Sequence, residues 1–104
     1  MSTTCNVKPG VCNMDAKIVA ALGEDMMSVD VTIETKCPMI QKMSPITGIN
    51  AYSEVGTPMA ESVIYQKATE CIRHTACPIP CAIVKCVEVE SGMAIKRPVT
   101  IEFE

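Results

Sequence analysis

The chain is expected to fold as an α+β domain, a three-stranded antiparallel sheet with helices packed on one face, with a candidate extra strand near its C-terminus. Three observations lead there. Val29, Val31 and Ile33 alternate with Asp30, Thr32 and Glu34, the period-two pattern of a half-buried strand. The more apolar Ile18-Val19-Ala20-Ala21 precedes it across a Gly23-Glu24-Asp25 turn, which makes a hairpin. Two later segments, Met59 to Ile72 and Pro78 to Glu90, carry apolar residues at helical spacing.

Taken in order, Thr3 to Lys8 reads as an edge strand and Pro9-Gly10 as a turn. Cys12 to Leu22 and Met26 to Lys36 form the hairpin. Cys37-Pro38 ends it, and Met39, Ile40 and Met43 predict a short helix before Ser44-Pro45. The stretch from Ile46 to Pro58, with Gly48 and Gly56 inside it, reads as a loop. The helix from Met59 to Ile72 is expected to use Met59, Val63, Ala68 and Ile72 as its apolar face, with Thr57 as its cap and Pro58 at its first position. In the next helix Ile79, Ile83, Cys86, Val87 and Glu90, beside Ala82, make a stripe, Gly92 ends it, and Pro98 to Phe103 supplies the candidate last strand. With 104 residues and no linker or repeat, residues 1–104 are expected to form one domain.

Composition narrows function. The net charge is -3, with nine Lys and Arg spread among twelve acids, so phosphate-backbone binding is not expected and nucleic acid is excluded as a partner. Aromatic residues are 3% of the chain, too few for stacking platforms. No apolar stretch approaches the roughly 20 residues of a membrane span, and no basic start joins an apolar run. The expectation is a soluble cytoplasmic protein without a membrane partner.

Seven Cys, an odd number, cannot all be paired, and eight Met add to the sulfur load. In a reducing compartment such a set points to metal, iron-sulfur or redox chemistry. Taken singly, Cys71, Cys81 and Cys86 read as small buried hydrophobes. Cys12 and Cys37 flank the hairpin turn about equally, so a two-residue turn would set them nearly opposite at its open end. Cys37 precedes Pro38 and Cys77 precedes Pro78, each at the start of a helix, where free amides and the dipole favour a thiolate. His74, three residues before Cys77 in "HTACPIPC", is a candidate fourth ligand. A Cys77–Cys81 redox pair is the weaker reading, since the spacing is not CxxC.

These residues resemble the U-type iron-sulfur cluster assembly scaffolds, the family of the NifU N-terminal domain, IscU and SufU. The resemblance runs over roughly residues 10 to 92 and rests on Cys12 in "VCNMDAKIVA", Cys37 in "VTIETKCPMI" and Cys77 in "HTACPIPCAIVKCVE". It implies a three-stranded sheet backed by helices and three cysteine ligands, with Asp15 as a further ligand candidate. It also implies a cysteine desulfurase or cluster-acceptor proteins as partners. The chain departs from the family at the first site, where Cys12-Asn13-Met14 stands for Cys-Gly-Asp, and at the second, where Lys36-Cys37-Pro38 stands for Gly-Cys-Gly. The family's Leu-Pro-Pro-Val-Lys stretch has no counterpart before His74. The chain is similar as well to short uncharacterised proteins of anaerobic prokaryotes, which adds no mechanism.

The leading expectation is therefore a non-catalytic protein that binds a metal or iron-sulfur cluster, the cofactor being a cluster or a zinc ion. Cys12, Cys37 and Cys77 are the ligands, with His74 or Asp15 as candidates for the fourth position. One alternative is a thiol-dependent sulfur-transfer or redox protein using Cys77 as nucleophile. Another is a metal-free interaction module presenting Met26-Met27, Met39 and Met43.

Overall fold

The computed structural model describes residues 1–104. Four strands form one antiparallel sheet in sequential order: β1 (Thr3–Val7), β2 (Ala16–Leu22), β3 (Ser28–Thr35) and β4 (Ile46–Asn50). Helices α1 (Pro38–Gln41), α2 (Ala51–Val55), α3 (Val63–Cys71) and α4 (Ile79–Glu90) complete the fold, with a single 3-10 turn at Met59–Glu61. The expected α+β class with an antiparallel sheet is present, with one strand more than the three expected.

One face of the sheet is covered. Ala16, Ile18 and Ala20 on β2 and Val29, Val31 and Ile33 on β3 are buried, while Lys17, Asp30, Thr32 and Glu34 are exposed. This alternation follows from the two-residue period of an extended chain, and it puts every branched aliphatic residue of β3 on the helix side. Helix α4 lies across β1 and β2, α1 covers β3, and α2 and α3 pack against α4. Ile79, Ile83, Cys86 and Val87 turn inward on α4, as their spacing predicts. Burying each such aliphatic side chain stabilises the fold by about 1.5–3 kcal/mol before chain entropy is counted.

Four expectations need correction. The β2–β3 connection is longer than a two-residue turn: strand pairing stops at Leu22 and Val29. Asp25 organises the gap, its Oδ1 accepting from the Met27 and Ser28 N–H groups and its Oδ2 from the Ser28 hydroxyl. These bonds favour the carboxylate, the Ser28 and Met27 amides first, and hold the Asp25 carboxyl down at about 2. Met26, at φ +61, makes the left-handed step.

The presumed loop from Ile46 to Pro58 contains β4 and α2. Strand β4 pairs with β3 through Val31↔Ile46 and Val29↔Ile49, and a bulge lies between. Past that bulge Ile33, paired with Ile18 on β2, has no partner on the β4 side, and the Ser44 hydroxyl accepts its N–H at 2.9 Å.

The third helix starts at Val63 rather than Met59. Its cap is Ser62, whose Oγ accepts from the Tyr65 N–H, and its buried residues are Ile64 and Ala68. Met59 and Val63 are exposed. Glu54, reaching over from α2, is buried and accepts from the Ser62 hydroxyl and from the Val63 and Ile64 amides. A carboxylate takes the unpaired donors of a helix start well, so here one residue of α2 docks all of α3.

Finally, the segment Pro98 to Phe103 forms no strand within the chain. Helix α4 ends as expected at Gly92, which sits at φ +81, with Gly92 N–H donating to Val89 O and Met93 N–H to Glu88 O. No helix is long and apolar enough to cross a membrane.

Candidate functional site

The end of the sheet away from the β2–β3 turn gathers three cysteines from three places in the chain. Cys12 lies in the β1–β2 connection, a turn bent by Gly10 at φ +98 and Asn13 at φ +59 and closed by Asn13 N–H donating to Gly10 O. It is exposed and lies four residues before the first residue of the strand expected to carry it. Continuing the β2–β3 register past Ala16↔Thr35 would set Met14, not Cys12, opposite Cys37. A loop rather than a ladder therefore brings Cys12 to this end.

Cys37 is the cap residue of α1, immediately beyond β3. Its N–H donates to the Thr35 hydroxyl, its carbonyl accepts from the Gln41 N–H, and Gln41 Nε2 returns to the Thr35 carbonyl. Its side chain is half-buried against the core. Cys77 stands one residue before Pro78, the cap of α4, and is likewise half-buried against the core. A turn, Cys77 N–H to His74 O, precedes it.

The electrostatics of Cys77 tie the three together. Burial pushes its thiol above the ordinary value, the Ile79 amide pulls the other way, and the thiols of Cys37 and Cys12 both push up again. The Cys37 and Cys12 thiols therefore lie within electrostatic reach of Cys77. The helix start was expected to ease ionisation of Cys77. The amide contact is present, but desolvation outweighs it.

The side chains do not form a ready-made ligand set, as no three His, Cys, Asp or Glu residues are arranged to hold a metal ion. His74 is exposed and meets Cys77 only through its carbonyl. Asp15 is exposed beside the cluster and, with Asn13, Met14, Thr35 and Lys36, lines an open depression of about 460 Å³. Thr35 and Lys36 were not singled out from the sequence, where nothing marks them apart from their place before Cys37.

The other cysteines separate by position. Cys86 is buried, its S–H donating to Thr3 O at 3.3 Å, and burial first and Cys5 second push it up to about 11. Cys71 is half-buried, and Cys81 is exposed rather than buried as expected. Cys81 faces outward near Tyr65, whose hydroxyl is pushed up by burial and then by that thiol.

The fold is that of an α+β protein, a helix-backed antiparallel sheet with Cys12 and Cys37 within electrostatic reach of Cys77. The chain belongs to the protein family of unknown function DUF6951, whose family model matches residues 3–103. No curated protein and no solved structure matches it.

Proposed function

We propose that this protein binds a soft metal through Cys12, Cys37 and Cys77, the cargo being an iron-sulfur cluster or a zinc ion, with a role like that of the U-type assembly scaffolds. The observation that carries the reading is the placing of Cys37, at the end of β3, and Cys12, on the β1–β2 loop, within electrostatic reach of Cys77 at the start of α4. Two of them, Cys37 and Cys77, are anchored against the core, whereas Cys12 rides on an exposed loop. Ligation asks Cys12 to close onto the anchored pair. Three thiolates leave one position for Asp15, His74 or an exchangeable group, which suits a cargo that is handed on. Cysteine desulfurases and cluster-acceptor proteins are the corresponding partners.

The raised pKa of Cys77 counts against the sulfur-transfer alternative, because a thiol that resists ionisation is a poor resting nucleophile. Metal binding tolerates it, since ligation displaces the proton. The sign follows: affinity should rise with pH as the competing proton is removed.

Anaerobic purification with metal and sulfide analysis, followed by zinc or cobalt titration, tests the reading. About one metal site per chain is expected. Cys12→Ser, Cys37→Ser and Cys77→Ser should each weaken it strongly and Cys81→Ser should not. A protein that takes up neither metal nor cluster, or a site that survives Cys12→Ser but not Cys81→Ser, overturns the proposal.

A further inference from the structure

The segment beyond α4 has the pattern of a strand and no partner. Val99, Ile101 and Phe103 are 58%, 76% and 95% exposed, and they alternate with Thr100, Glu102 and Glu104. Three large apolar side chains on one side of an extended segment are costly to leave in water, and Val, Thr, Ile and Phe are strand formers. Pro98 is tolerated where it stands, at the first residue of a strand.

The same molecule offers an open sheet edge. Strand β1 is the outermost strand, regularly paired with β2 from Thr3↔Ala20 to Val7↔Ala16, and its other side bears no strand. Its inward residues Cys5 and Val7 pack against the core yet stay only half-buried, because nothing extends the sheet beyond them. Its outward side carries Thr4 and Asn6, with Lys8 just beyond and Lys17 directly across from Asn6. A strand added there would place Val99, Ile101 and Phe103 beside Cys5 and Val7, and Glu102 and Glu104 on the side of Lys8 and Lys17. The opposite edge is a poorer template. β4 is bulged against β3, contains Gly48 at φ +69, and has the Gly48 N–H already committed to Asp30.

Chain direction separates the two ways of filling the β1 edge. Glu90 at the end of α4 accepts from the Thr3 hydroxyl, which sets the end of that helix beside the start of β1. A chain continuing directly from there along its own β1 runs parallel, in a sheet that is otherwise entirely antiparallel. Within the single chain that pairing is not made. A second copy can supply the antiparallel orientation, and two copies related by a two-fold axis satisfy both segments and both edges at once. We propose that residues 98–103 dock as an antiparallel fifth strand on β1 of a second copy of this chain, which returns the same exchange.

Light scattering and sedimentation of the full chain should show a dimer that dissociates on dilution. The double variant Ile101→Asp, Phe103→Asp should be monomeric yet keep the helical circular dichroism signal and a cooperative unfolding transition, since neither side chain supports the folded chain. In a mixture of labelled and unlabelled chains, isotope-filtered NOEs should join Ile101 and Phe103 of one chain to Cys5 and Val7 of the other. A monomer at all accessible concentrations, a dimer unaffected by the double variant, or NOEs confined to one chain or to segment–segment contacts would each overturn the proposal.

Discussion

At Cys86 the S–H points at the Thr3 carbonyl from inside the core, and its pKa stands at about 11 against an ordinary 9.0. A thiol whose folded pKa is raised favours the folded state while both states are protonated. That contribution is complete below pH 9.0 and is lost as pH rises toward about 11, where the unfolded chain ionises first. Urea denaturation should therefore show stability falling across this window, and Cys86→Ala should flatten the slope while lowering stability at neutral pH. The local sequence placed Cys86 on the buried stripe of α4 but could not show its acidity, which depends first on burial beneath the sheet and then on Cys5 arriving from the other end of the chain. Cys77 teaches the same lesson in reverse. Its proline marks the helix start correctly, while the burial that dominates its ionisation comes from packing that no local pattern encodes.

Helix ends were legible wherever a single residue type sets the backbone. Gly92 takes φ +81 between two main-chain bonds that close α4, with open space where a Cβ would stand. Gly92→Ala should cost about 1–2 kcal/mol from the left-handed backbone alone. Gly56 ends α2 at φ -100 with only ordinary contact to the Tyr52 carbonyl, so Gly56→Ala should stabilise by about 0.5 kcal/mol. Thermal and urea unfolding of the two variants check the contrast. Strand β4 escaped notice because Ile46-Thr47-Gly48-Ile49-Asn50 has a glycine in place of the alternating apolar residue and a bulge opposite it. The segment from Pro98 to Phe103 was misjudged in the opposite way, since its periodicity is real and its partner is not in the same chain's fold. Spacing picked out Cys12, Cys37 and Cys77 as candidates, but the hairpin argument for joining Cys12 to Cys37 assumed a strand where a loop stands.

Across the whole molecule, α4 connects two regions with different assignments. Its first turn adjoins Cys77, and its last residue, Glu90, accepts from the Thr3 hydroxyl at 2.7 Å and from the Leu22 amide at 2.9 Å. The carboxylate thus fastens the far end of the helix to both β1 and β2. A beam pinned in this way transmits little displacement past the pin. Metal uptake at the thiol end and strand exchange beyond Gly92 should be thermodynamically insulated, so saturating zinc should shift the dimer dissociation constant by less than about 5-fold, the lower bound of ordinary allosteric coupling. Sedimentation with and without zinc measures that shift, and Glu90→Gln, which weakens the pin, should enlarge it. If both proposals hold, Glu90 sets two devices on one frame, each free to be tuned by mutation without retuning the other.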